Sequence, residues 1–407
     1  MQFHICRLCE STKMQSVLNL GAQVFTGIFP QSPSQKTPIG ELHLISCSSC
    51  SLVQLNESFD GTLMYGDNYG YQSSLNESMK NHLERVSNYL KTKVPLKKDD
   101  VIVDIGSNDG TFLTFFSNGD LVRVGVDPTI SKFSHKYEKS ILKVAEFFDQ
   151  RALKNSGIEK VKLITSISMM YDLENPISFA RDIYESLEED GFWFFEQSYL
   201  GLMIEKLAYD TICHEHIEYY SAATISIILE KSGFVVEDVD LNDVNGGSIA
   251  VLARKKRGVS DRNCQNFQEL VFKETSSGMN TVSFLRDFST KVRSHRVDLT
   301  NEVNNLIKSG RKVMALGAST KGNVLLQYCD LDSSKISKIG EVNKDKFGHF
   351  TPGTNIPIVP EEEVFSSNPD VLLILPWHFR ETFIEKTKDF RRAGGKVLFP
   401  LPQIELL

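Results

Sequence analysis

No apolar run in this sequence of 407 residues approaches the roughly 18 residues that a membrane-spanning helix requires. There is no basic excess either: 45 Lys and Arg stand against 52 Asp and Glu, a formal net charge of −7. That balance argues against a nucleic-acid backbone as the main partner. The first ten residues, MQFHICRLCE, lack the basic and apolar regions of a secretory signal. Together these absences predict a cytoplasmic protein, with no membrane partner, whose seven cysteines are reduced. Internal repeats and low-complexity tracts are also missing. The length predicts two or three domains, each large enough to bury a core.

Four of the cysteines are paired in sequence. Cys6 and Cys9 form one C-x-x-C, and Cys47 and Cys50 form another. Two such knuckles fit a tetrahedral Zn²⁺, each giving two thiolates. The alternative is a redox-active C-x-x-C. A closed four-cysteine site has no open coordination position, so the expected role is structural. Residues 1 to about 70 are rich in Ser, Gly, Pro and Gln and only weakly periodic, which predicts a compact, loop-rich unit held by a metal. Cys213, Cys264 and Cys329 are isolated.

The rest of the chain alternates between strand and helix signals. A polar helix is predicted over 73–92, with Met79, Leu83, Val86 and Leu90 at helical spacing. Strands are predicted at 101–105, 122–126, 161–165 and 192–195, with helices beginning near 110 and spanning 176–187. An antiparallel pair at 234–239 and 248–253, around Asn245-Gly246-Gly247, closes a doubly wound sheet. Residues 256–308 read as a polar, helical connector, followed by a second α/β unit with strands at 312–316, 371–375 and 396–399. The expected domains are therefore 1–72, 73–255 and 256–407.

Two glycine loops carry ligand signals. VDIGSNDGTF, at 103–112, joins the first strand to the first helix. Gly106 and Gly110 permit a tight turn, and Asp127 ends the second strand, where an acid commonly holds a ribose diol. The loop is not G-x-G-x-x-G, and Asp109 would repel a pyrophosphate. An acidic loop instead suits a sulfonium cofactor with a cationic amino-acid tail. With the closing hairpin, this favours S-adenosylmethionine and a class I methyltransferase sheet over a dinucleotide dehydrogenase. The second loop, LGASTKGN at 316–323, is neither a Walker A loop nor a dinucleotide fingerprint. It places Ser319, Thr320 and Lys321 at a helix N-terminus, a ready site for a diphosphate. The bland alternative there is a plain turn with a solvated lysine.

The densest chemistry lies in YDTICHEHIEYYS, at 209–221, with two histidines, two glutamates, a cysteine and three tyrosines. Imidazole titrates near neutrality, a neighbouring carboxylate can fix its tautomer, and a phenol can donate to an oxyanion. The spacing is not H-E-x-x-H, so a zinc protease is excluded. Cys213, His214 and His216 as ligands of a second metal is a cramped alternative. Ser221 is expected to cap the helix that follows.

In order along nearly the whole chain, CRLC, CSSC, MYGDNYGYQSS, VDIGSNDGTFL, TICHEHIEYYS, NGGS, GASTKGN and GHFTPGTNIPIV resemble the nucleotide-sugar C-methyltransferases that act on 4-keto-deoxyhexoses. The resemblance implies an α/β protein of three parts. These are a zinc domain held by Cys6, Cys9, Cys47 and Cys50, a class I (Rossmann-like) methyltransferase domain, and a Rossmann-like C-terminal domain that clamps the nucleotide-diphosphate sugar. It implies cofactor contacts from Asp104, Gly106, Asn108, Asp109, Gly110, Asp127 and Ser166. Substrate contacts would come from Tyr69, Tyr71, Asn245, Gly246, Ser319, Thr320, Lys321 and Asn323. His216 matches the base that removes the C3 proton before an enolate takes the methyl group, with His214, Glu215, Cys213 and Tyr219 around it. The chain departs from the family where those enzymes tend to carry tyrosine and it has Cys213, a weak donor. The groups expected to take over are His214, Tyr219 or Tyr220. An O-methyltransferase and a non-catalytic zinc and cofactor-fold binding protein are the competing readings. The favoured product is a methylated sugar of a surface polysaccharide or metabolite.

Overall fold

Strand Val101–Ile105 is apolar throughout except for its fourth residue, Asp104, because it runs through the middle of a sheet. In the computed structural model, which describes residues 4–64, 70–117, 120–279 and 281–407, that sheet has seven strands. Their order is Phe234–Asn242, Ser248–Lys255, Leu187–Ser198, Val161–Ile167, Val101–Ile105, Val122–Val126, Ile141–Val144. The last five are parallel, and Ser248–Lys255 runs antiparallel to both neighbours. From Val101–Ile105 the chain steps first to one side and later to the other. A crevice therefore opens beyond the carboxyl ends of these strands. The helix Glu77–Lys93 covers one face with Met79, Leu83, Val86 and Leu90, and Asn76 caps it by accepting from Ser78 N and Met79 N.

The N-terminal segment is less loop-rich than its composition predicts. Met14–Val24 and Ile39–Cys47 form a long antiparallel pair, extended by Val53–Leu55 and then by Glu218–Tyr219 from the far side of the chain. Register shifts between Ser16 and Leu18 and between Asn19 and Ala22 break the two-residue alternation, which hides the strand from a periodicity reading. At one end of this sheet the four cysteine sulfurs lie within 4.8 Å of one another. The Cys6–Cys50 and Cys9–Cys47 separations are 3.4 and 3.5 Å. Zn–S bonds of about 2.3 Å in a tetrahedron put sulfurs about 3.8 Å apart, so the four thiolates fit zinc with small adjustments. Each knuckle closes the same way. Glu10 N donates to Cys6 O and Ser51 N to Cys47 O, and both Glu10 and Ser51 adopt positive φ.

A six-stranded sheet forms the C-terminal part, in the order Ile358–Pro360, Ile339–Glu341, Val313–Leu316, Val371–Ile374, Lys396–Phe399, Glu405–Leu406. The connector before it folds as the helices Gln265–Ser276 and Val282–Lys308. Side chains of helix Thr320–Tyr328 bind the N-terminal sheet directly. Asn323 Nδ2 donates to Thr26 O, and Gln327 both donates to Val24 O and accepts from Val24 N. Among the described residues no helix is long and apolar enough to cross a membrane.

Because Glu218–Tyr219 completes the sheet that the zinc knuckles terminate, metal loss should be felt two residues from His216. Cys9→Ser or Cys50→Ser is expected to lose the bound zinc and to lower the melting midpoint by roughly 10 °C or more. Cys213→Ser should keep the metal. Full zinc content in the knuckle variants by elemental analysis would contradict the site.

Candidate functional site

The carboxyl ends of the seven-stranded and six-stranded sheets meet at one cavity of about 950 Å³. Gly106–Asn108 and Asp127 line it from the first sheet, and Gly317–Lys321, Asn343 and His378 from the second. The segment 209–217 passes between them and contributes Glu215 and His216. The volume lies at the upper end for a small-molecule site and has room for two ligands side by side.

On the first-sheet side, Asp104 is buried at the cavity floor, its carboxylate accepting from Thr165 Oγ1 at 2.6 Å. Burial, with the negative charge of Asp127 adding to it, pushes its carboxyl up to about 7. Gly106 has φ +72°, and a Cβ there would come within 3.1 Å of Met169, so glycine keeps the loop both turned and open. Asp127 accepts from Asn108 N at 2.8 Å and from Thr129 N and Oγ1 at 2.6 Å. Three residues of the predicted cofactor set lie behind the wall instead. Asp109 accepts from Ser74 N and Thr111 Oγ1, Gly110 packs under Tyr137, and Ser166 accepts from Trp193 Nε1. Glu146 and Phe147, after the strand Ile141–Val144, line the cavity and carried no sequence signal.

Residues 70–74 cross the cavity mouth as a strap. Ser73 N donates to Asn108 Oδ1, Asn108 Nδ2 donates to Tyr71 O, and Ser74 N donates to Asp109 Oδ2. At the other side Asn343 Nδ2 donates to Gly70 O and Gln72 Nε2 to Asp345 Oδ2. Tyr71 lines the cavity. Tyr69 lies outside the described residues.

Within the segment 209–221 the side chains divide sharply. His216 faces the cavity, and its Nδ1 lies 2.9 Å from Thr211 O. Because a carbonyl only accepts, Nδ1 carries the proton and Nε2 presents a lone pair to the cavity. The Tyr171 ring packs on this imidazole at 4.1 Å between centroids. Burial, and then the charge of Lys321, lower His216 to about 3, so it is neutral at working pH. Glu215 also faces the cavity; burial pushes its carboxyl up to about 7 against the opposing charge of Lys346. The other three candidates lie behind the cavity wall, with the Cys213 thiol donating to Glu215 Oε2 at 3.9 Å. His214 stacks on Phe25 at 4.5 Å with its Nε2 on Gly40 O, Tyr219 donates to His216 O, and Cys213 is fully buried with its thiol pushed well up by burial. Tyr220 is buried on Glu218. Ser221 caps the helix Ala222–Ser232 in a capping box.

On the second-sheet side, Ser319 caps the helix Thr320–Tyr328 by accepting from Gly322 N. Lys321 Nζ donates to Asn245 O at 2.5 Å, so two of the predicted substrate residues are in direct contact. Thr320 also lines the cavity, whereas Gly246 packs under Trp377 and Asn323 is buried against Thr26. Lys346, Lys386 and His378 line the cavity as well, unannounced by any local motif. Trp377 Nε1 donates to Asp210 Oδ2 at 2.8 Å, which pins the His378 turn to the segment 209–221.

Three family models match the chain in succession. They are "Putative zinc binding domain" over residues 6–65, "Methyltransferase domain" over 71–239 and "C-methyltransferase C-terminal domain" over 243–402. The chain is similar to the C-methyltransferase NovU of Streptomyces niveus, 26% identical over 409 residues that span 98% of this chain and 95% of that one. Among solved structures it is similar to an S-adenosylmethionine-dependent methyltransferase from Mesorhizobium loti (16% identity, 42% of this chain, 100% of that one, TM-score 0.34). A Burkholderia thailandensis 1,6-didemethyltoxoflavin-N1-methyltransferase with bound S-adenosylhomocysteine is also similar (12% identity, 45% and 80% coverage, TM-score 0.34). The sheet order, its crevice and the matched central domain define an S-adenosylmethionine-dependent methyltransferase. More particularly, the zinc-binding and C-terminal models flanking it in order give the chain the domain arrangement of an S-adenosylmethionine-dependent C-methyltransferase with an N-terminal zinc domain.

The crevice fits that cofactor: a buried acid for a cationic tail, an open glycine turn and an acid at the second strand end. Asp104 gives a test with two readouts. Its folded value lies above the ordinary 3.8, so its contribution to stability is complete below about pH 4 and is lost as pH rises through 7. Asp104→Asn is expected to stabilise the free protein at pH 8, by up to roughly 4 kcal/mol, and to change little at pH 4. Over the same range wild-type affinity for S-adenosylmethionine should rise with pH, and the variant should bind more weakly and without that slope. Thermal melts and calorimetry at the two pH values check both.

Proposed function

We propose that the chain transfers a methyl group from S-adenosylmethionine to C3 of a nucleotide-linked 4-keto-deoxy sugar, with His216 as the base that removes the C3 proton. The observation that carries this reading is the 2.9 Å contact of His216 Nδ1 with the Thr211 carbonyl, which assigns the tautomer. With Nδ1 held on Thr211 O, Nε2 offers its lone pair to a cavity that also holds the cofactor crevice and the Lys321 loop. The cofactor supplies an electrophilic methyl carbon when bound.

The ketone sets the demands on the protein. An α-proton lies roughly 12 pKa units above imidazole, about 16 kcal/mol, which a base alone does not cover. The electron pair released from C3 must move onto the C4 oxygen, and that oxygen needs donors in a dry site. The cations on the second-sheet side favour an anionic substrate: Lys321 and Lys346 line the cavity beside the N-terminus of helix Thr320–Tyr328. A diphosphate at Lys321 would also offset the charge that depresses His216, raising its proton affinity when substrate arrives. Asn245, Ser319, Thr320 and Tyr71 line the same cavity, which supports them as contacts for the sugar nucleotide, and Glu215 precedes the base in the same wall.

Incubation with a panel of 4-keto sugar nucleotides in D₂O, without S-adenosylmethionine, should place deuterium at C3. His216→Ala should slow that exchange and the methylation by about 10²–10⁴-fold. Methylation of oxygen with no carbon-bound exchange would move the chain to the O-methyltransferase reading.

A further inference from the structure

We propose that His378, contributed by the C-terminal domain, is the hydrogen-bond donor that holds the substrate oxygen on which negative charge collects, opposite the base His216. The inference rests on the proton-abstraction reading above, because it identifies the partner that reading requires.

The donors of the catalytic segment are engaged elsewhere. His214 meets Gly40 O, Tyr219 meets His216 O, Tyr220 meets Glu218, and Cys213 is buried in the core. Lys321 donates to Asn245 O. His378 differs from all of these. It lines the same cavity as His216, and its ring is wedged between Trp377 and Phe379, with centroids at 5.8 and 4.3 Å. Its Nδ1 is buried and meets no hydrogen-bond partner among the described residues. A buried N–H without an acceptor is the rarer kind of orphan, so the proton belongs on Nε2. The two imidazoles are thus opposite tautomers. His216 keeps its proton on Nδ1 and accepts at Nε2, whereas His378 leaves Nδ1 bare and donates from Nε2.

Two further observations support the pairing. One turn, Tyr209–Thr211, positions both rings, through Thr211 O on His216 and through Asp210 on Trp377, the neighbour of His378. Burial and then the Lys321 charge lower both imidazoles, so both lie within reach of one ammonium and stay neutral. Neutral His378 gives a hydrogen bond and keeps its proton. The C–H bond breaks, its proton goes to His216 Nε2, its electron pair moves onto the carbonyl oxygen, and no bond to hydrogen breaks at His378.

The test compares His378→Phe, which keeps the ring packing and removes the donor, with His378→Gln, which restores an N–H. Exchange of the carbon-bound proton without S-adenosylmethionine, kcat, KM and cofactor affinity are measured on the full chain. His378→Phe should slow exchange and kcat by about 10²–10³-fold, with KM and cofactor affinity within about threefold, and His378→Gln should recover about tenfold. Exchange and kcat near wild type in His378→Phe would overturn the proposal. So would a loss confined to KM, or a glutamine variant no faster than the phenylalanine one. A wild-type protein that exchanges no carbon-bound proton fails earlier and overturns the parent reading together with this one.

Discussion

The cavity between the two sheets depends on one buried turn. Tyr209–Thr211 presents two main-chain and side-chain acceptors in consecutive residues: the Asp210 carboxylate takes the Trp377 indole N–H, and the Thr211 carbonyl takes the His216 Nδ1–H. The first bond crosses from the methyltransferase sheet to the C-terminal sheet. The second sets which nitrogen of His216 is basic. Asp210 is wholly buried and burial raises its carboxyl, so a partner lost there leaves a costly orphan. Tyr209 itself packs against Tyr328 and bonds with His295, which in turn meets Pro400 O. The turn is therefore held by the far domain on two sides.

Much of the architecture was legible because it is written locally. The apolar strands at 101–105 and 122–126, the helix that buries Met79, Leu83, Val86 and Leu90, the paired cysteines and the glycine loops each announce themselves within a few residues. Features built from distant partners were not. The strand Glu218–Tyr219 has two residues and exists only because Val53 and Gln54 pair with it. The N-terminal sheet was hidden by its bulges.

The segment 209–221 was visible as a concentration of titratable groups, but not which of them face the cavity. His214 and His216 are two apart, yet Phe25 and Phe59 enclose the first and leave the second to the cavity. Asp109 read as a ligand-facing acid, although Thr111 two residues on is a capping signal that would have placed it on the backbone. His378 and Tyr171 come from segments with no motif at all, and only packing brings Tyr171 onto the His216 ring and His378 into the same cavity.

The strap at 70–74 bears on how this chain can be taken apart. Family borders suggest three exchangeable modules, but Asn108 and Asp109 of one module and Asn343 and Asp345 of another hold the same five residues of backbone and side chain. The mechanical joints do not coincide with the modular ones. A graft that exchanges the C-terminal domain for another specificity inherits a mismatched clasp over the cofactor loop unless the strap and both of its asparagines travel together.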